Sequence, residues 1–152
     1  MNYTKIVFCM KLQQKNQKEK DFTKITFQGG TNEMISLELP IYYTFTKKTK
    51  KDNKVLVGMN WYRNAHFRNS NQVKQHYHKL IYSKVTQSQK LKDKYMVSYM
   101  LYPSNSNCDL MNVVSVIDKF LNDALQDCGV IVNDNIKFYK HMIAAVKEVD
   151  KD

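Results

Sequence analysis

One apolar stripe constrains this chain more than any other feature. Leu110, Val113, Val114, Ile117, Leu121, Ala124, Leu125 and Cys128 recur at intervals of three and four residues, the period that lines up side chains on one face of an α-helix. Asp109 stands where a helix N-cap accepts hydrogen bonds from the free N–H groups of the first turn, and Gly129 stands where a left-handed residue ends a helix. The spacing therefore predicts a helix over 110–127. An apolar face of this kind has to be buried against another layer, so the helix implies partner elements elsewhere in the chain.

The other segments supply that layer. Residues 3–10 are β-branched and aromatic enough for a short strand, whereas the run from Gln13 to Lys20 is almost entirely polar and reads as a solvated arm. The apolar segment from Met34 to Thr46 is interrupted by Pro40, which makes it an edge or broken strand, and Val55 to Met59 begins another strand after a polar turn at 47–54. Tyr95 to Tyr102 is a strand ended by Pro103, and Val130 to Val132 and Ile136 to Val149 read as terminal strands on either side of an Asn133-Asp134-Asn135 turn. Val73, Tyr77, Leu80, Ile81 and Val85 predict a second helix from Ser70 to about Thr86, with Ser70 or Asn71 as its cap. The expected architecture is a single α+β domain, with a mixed or antiparallel sheet and two main helices at about 70–86 and 110–127. A chain of 152 residues suits one core. Residues 1–33 are read as an N-terminal strand and polar arm of the same domain as 34–152.

Charge is the next constraint. Twenty-four Lys and Arg against fourteen Asp and Glu give a net charge of +10, an excess that concentrates polyanions near the surface. Only Arg63 and Arg68 are arginine, so bidentate reading of guanine is not the main device, and the lysines act as point charges for phosphates. Candidate phosphate contacts are Lys47, Lys48, Lys50 and Lys51 in the polar turn, with Arg63 and Lys74. Trp61 and Tyr62 beside Arg63 are candidates for stacking on unpaired bases, or else for the core.

Several function classes are not indicated. Cys9, Cys108 and Cys128 lie at no metal-ligand spacing and are expected to be reduced and partly buried. His76 and His78 are two apart on a helix and point different ways, so they make a poor shared metal site. There is no nucleophile elbow, P-loop or dinucleotide fingerprint. No apolar run reaches the roughly 20 residues of a membrane span, and none has the form of a signal peptide, so the expectation is a soluble cytoplasmic protein without a membrane partner.

Carboxylates bracket the best helix, with Asp109 at its start and Asp134 in the turn beyond it, and hard divalent cations take oxygen ligands of this kind. The stretch Cys108-Asp109-Leu110-Met111-Asn112, then Lys119-Phe120-Leu121-Asn122-Asp123-Ala124-Leu125, then Gly129 and Asn133-Asp134, resembles the motif of the RusA-like Holliday junction endonucleases. That motif is roughly Asp-Leu-Asp-Asn, a Lys four residues before Asp-Ala-Leu, and a closing pair of Asp residues. Asn60-Trp61-Tyr62-Arg63 is similar to the family's early Asn-and-aromatic segment. The likeness spans about residues 34 to 149 and is specific over 108 to 135. Met111 stands where the family has its second Asp, Asn133 where the closing pair begins, and the interval from Asp109 to Asp123 is four residues longer. Lys119 matches the family's Lys when the chain is aligned on Asp123-Ala124-Leu125.

The resemblance implies a metal-dependent endodeoxyribonuclease that resolves Holliday junctions or other branched DNA by paired phosphodiester hydrolysis. It further implies a homodimer, encoded by a phage or prophage and acting in recombination and repair in the bacterial cytoplasm. Asp109 and Asp134 would hold Mg²⁺ or Mn²⁺, with Asp118 replacing the missing carboxylate, Lys119 assisting, and Asn112 and Asn133 supporting the ligands. The alternative is a catalytically degenerate relative that keeps the fold and basic surface, and acts as a DNA-binding or protein-interaction module. The substitutions at Met111 and Asn133 motivate it.

Overall fold

Strand alternation and the helical stripe meet in one core. A computed structural model of the chain describes residues 5–12, 34–46, 51–85 and 90–147. In chain order the elements are β1 (Lys5–Leu12), β2 (Met34–Pro40), β3 (Tyr42–Phe45), β4 (Asn53–Leu56), α1 (Met59–Asn64), α2 (Phe67–Lys84), β5 (Tyr95–Tyr102), α3 (Leu110–Asp127) and β6 (Tyr139–Val146). Four strands form a mixed sheet in the order β2-β1-β5-β6, and β3 and β4 form a separate antiparallel hairpin. The result is a single-domain α+β fold with three helices among the described residues.

β1 runs antiparallel to both of its neighbours, with Ile6 opposite Leu39 on one side and Leu101 on the other. This register puts Ile6, Leu39 and Leu101 on one face of the sheet, and all three are buried there, with Ile35, Leu37, Tyr95, Val97 and Tyr99. The alternate residues Ser36 and Glu38 are exposed. β1 is therefore a central strand of the domain rather than part of an appended arm.

β5 and β6 are parallel, which requires a crossover, and α3 provides it. Its stripe is buried as expected, with Val116 and Phe120 added to it, while Asp109 caps its start and Gly129 takes φ +70 just past its end. The other helices pack on α3. Tyr62 of α1 and Tyr77 of α2 both set their rings against Phe120, at centroid distances of 5.8 and 5.7 Å. Tyr77 also donates its hydroxyl to the carbonyl of Pro40, and Lys84 donates to the carbonyl of Glu38 at 2.9 Å, tying α2 to β2.

Four expectations need correction. Strand signals at Val55 to Met59 stop at Leu56, and Met59–Asn64 is helical, because Gly58 turns the chain and Met59 and Tyr62, three residues apart, pack on the core together with Trp61. The second helix begins three residues earlier than Ser70, since His66 rather than Ser70 or Asn71 is the cap, accepting from the N–H of Arg68 at 3.3 Å. Val130 to Val132 is not a strand but a single bridge from Ile131 to Leu91. The last strand begins at Tyr139, because a turn closed by bonds from Phe138 and Tyr139 to the carbonyl of Asn135 occupies its expected start. Pro40 does break the 34–46 segment in two, with buried Ile41 between the pieces. The segments 13–33 and 47–50, including the expected arm and most of the lysine turn, lie outside the described residues.

Gly58 carries the contact that seats α1 on α3. A Cβ there would lie 2.6 Å from Nδ2 of Asn112, whose Oδ1 accepts the N–H of Asn60 at 2.9 Å. Gly58→Ala is expected to destabilise the fold by about 1–3 kcal/mol, the usual cost of overpacking. Asn112→Ala should relieve part of that clash while itself costing a hydrogen bond, so the double variant is less destabilised than the two singles summed. Urea unfolding of the four proteins measures the coupling.

Candidate functional site

The first turn of α3 is held by its own polar side chains. Asp109 Oδ1 accepts the N–H groups of Met111 and Asn112 at 3.0 and 3.2 Å, which is the N-cap role. Asn112 is turned toward α1, accepting from Asn60, and so docks two helices. Met111 is 51% exposed and points away from the core.

Asp134 lies at the other end of the same helix. It precedes β6, in the loop whose Ile131 bridges Leu91 and whose Phe138 carbonyl accepts the N–H of Tyr95, at the beginning of β5. Asp109 follows the end of β5. The carbonyl of Asn133, next to Asp134, accepts the hydroxyl of Tyr95 at 3.5 Å, and the same hydroxyl donates to Asn122; Asn122 lies about 20 Å beyond Asp109 along α3 at 1.5 Å per residue, a gap that a single ion with oxygen ligands near 2.1 Å cannot bridge. Asn133 accepts the N–H of Asn135 at 2.9 Å, a turn-forming bond within the same loop. Among the described residues no three His, Cys, Asp or Glu are grouped to hold a metal ion. Asp109 and Asp134 therefore do not share one metal ion within one chain.

Asp118 sits between these ends, at the seam of α3, β5 and β6. Its Oδ1 accepts hydrogen bonds from the hydroxyls of Tyr99 and Tyr139 at 2.6 and 2.7 Å and from Nδ2 of Asn122 at 3.0 Å. Asn122, only 2% exposed, in turn accepts the hydroxyl of Tyr95 at 3.1 Å. The rings of Tyr95 and Tyr139 lie 5.1 Å apart. Alternation along β5 places Tyr95 and Tyr99 on the face that meets α3, where Tyr99 reaches this carboxylate directly and Tyr95 reaches it through Asn122. An oxygen saturated by three donors is a structural acceptor. Burial first, and then the charge of Asp118, push the phenols of Tyr99 and Tyr139 well above their ordinary 10.0. Tyr95 is raised first by burial, then by Asp134 and by Asp118, so both carboxylates act on the same ring.

The basic candidates divide differently. Lys74 is bound to Asp123 at 2.7 Å across the α2–α3 contact, so its charge is matched within the fold. One turn on, His78 faces Asp127 at 3.5 Å. Lys119, Lys51 and Arg63 are exposed, while Lys47, Lys48 and Lys50 lie outside the described residues. Trp61 and Tyr62 are half-buried against the core, and the ring of Tyr62 is engaged by Phe120. Cys108 and Cys128 are half-buried free thiols, both raised by burial.

Two features escaped the motif-led reading. There is no Asp or Glu between Asp52 and Asp93, a span that contains all of α1 and α2, while Lys and Arg recur through it. At the corner between those helices Phe67 is 68% exposed, beside His66 and Arg68. A charge profile along the chain, rather than a motif, carries the first signal; the second needs the helix boundary.

Comparison of the chain with family models, with curated proteins and with solved structures finds no match. No helix among the described residues is long and apolar enough to cross a membrane.

The tyrosine cluster predicts an alkaline transition. In the unfolded chain phenols ionise near 10.0, while the folded chain holds those of Tyr77, Tyr95, Tyr99 and Tyr139 protonated to higher pH. Their contribution is fully present below pH 10 and is lost as pH rises above it. The urea midpoint should be insensitive to these groups from pH 7 to 9 and fall from about pH 10. Tyr99→Phe should flatten that fall.

Proposed function

We propose that this protein binds branched DNA through the face formed by α1 and α2, as a RusA-like protein without a complete catalytic carboxylate set. The observation that carries the reading is the absence of any acidic residue between Asp52 and Asp93. Carboxylates that would repel phosphates are confined to other parts of the chain, among them α3 with Asp118, Asp123 and Asp127. Lys74 and His78, on the side of α2 that meets α3, face Asp123 and Asp127, which leaves the outward cations of α1 and α2 for a polyanion. The branched character of the substrate follows from the resemblance of 108 to 135 to junction endonucleases.

A second reading keeps the nuclease activity and Mg²⁺ or Mn²⁺, and the position of Asp109 and Asp134 favours one form of it. Because they stand at opposite ends of α3, a two-fold dimer that lays two copies of α3 antiparallel would bring each Asp109 near Asp134 of the other copy. In that form each site is shared between copies.

Both readings are tested with a labelled four-way junction. The binding reading predicts a salt-dependent complex, no cutting in Mg²⁺ or Mn²⁺, and a log–log salt slope reduced by about 1–2 in the Arg63→Gln, Arg68→Gln double variant. Absence of binding at low salt contradicts it. Metal-dependent cutting that is lost in Asp109→Asn and in Asp134→Asn, and regained when the two inactive proteins are mixed, supports the shared-site nuclease instead.

A further inference from the structure

We infer that the corner between α1 and α2 is a stacking site for an unpaired nucleotide, with the ring of Phe67 under the base and Arg68 and Arg63 at its phosphates; the inference rests on the nucleic-acid reading above. Phe67 leaves 68% of its surface in water although it opens a helix whose buried face contains Val73, Tyr77 and Ile81. It is not part of that face, and among the described residues it is not packed against the core. Its ring is nonetheless held. The imidazole of His66 lies 4.6 Å from it, tilted by 36°, and His66 is itself anchored because Nδ1 accepts the N–H of Arg68 at 3.3 Å. The guanidinium of Arg68 sits 5.8 Å from the same ring.

The surroundings select the ligand. Arg63 ends α1 and Arg68 lies in the first turn of α2, so the only two arginines of a lysine-rich chain flank this one exposed aromatic ring. Arginine differs from lysine in stacking on π faces and in gripping phosphate with two parallel donors. Among the described residues neither arginine has an acidic partner, and the nearest carboxylates in sequence are Asp52 and Asp93. An exposed aromatic ring with one guanidinium beside it and a second arginine at the end of the preceding helix matches a flat, polarisable base joined to an anion, and a base is accessible to such a ring only where it is unpaired. A paired duplex offers the phosphates but not the base face. Branch points and gaps offer both.

The test compares the full chain on two DNA probes, a duplex with an internal unpaired stretch containing 2-aminopurine and a fully paired duplex of the same length. Phe67→Leu keeps the apolar bulk and loses the ring face. It should bind the unpaired probe about tenfold or more weakly, without the fluorescence change that stacking gives the wild-type complex, and bind the paired duplex as before. Phe67→Trp should restore both signals. Arg63→Lys with Arg68→Lys should weaken binding to the unpaired probe at unchanged net charge. Equal binding of the unpaired probe by wild-type and Phe67→Leu proteins overturns the stacking site while leaving DNA binding intact. Failure of the wild-type protein to bind either probe overturns the nucleic-acid reading as well.

Discussion

The packing of α3 against β5 and the two other helices is the interaction on which the rest of the molecule depends. Phe120 receives both Tyr62 and Tyr77, so α1 and α2 are oriented by one ring on α3. The stripe beneath it closes the core of the sheet, and each large apolar side chain so buried contributes about 1.5–3 kcal/mol relative to exposure. Into the edge of that seam the chain introduces Asp118. A carboxylate removed from water without donors would be costly, and three donors on one oxygen, the buried Asn122 among them, offset that cost. The same geometry fixes the register of α3 along β5 and β6, because a helix slid by one turn would strip two tyrosine hydroxyls of their acceptor.

A straight, well-capped crossover helix also decides what the loops can do. With Asp109 capping the start of α3 and Asp134 held beside its C-terminal half, the acidic motif is spread along α3 rather than gathered at one end. Charge is distributed just as unevenly. Acidic α3 faces basic α2 at Lys74–Asp123 and His78–Asp127, and what remains outward on α1 and α2 is positive.

Much of this fold was legible in the sequence. The period of 110–128, its cap and its terminal glycine located α3 to the residue, and β5 was bounded by its own alternation and by Pro103. What failed was local competition. Trp61 and Tyr62 have strand propensity, yet they lie in a helix because that places them against the core beside Phe120. His66 is an uncommon cap, so the start of α2 and with it the exposure of Phe67 were hidden. The site was less legible than the fold for a related reason. Motif spacing records which carboxylates are present but not that a straight helix separates them, and the donors to Asp118 come from strands distant in sequence.

The most direct test of where this molecule meets its ligand is amide hydrogen exchange with and without a four-way DNA junction. The account predicts protection concentrated in α1 and the first turns of α2, from Met59 to Gln72, with the loops around Asp109 and Asp134 unchanged. Protection confined to those two loops, with α1 and α2 exchanging as in the free protein, would contradict it.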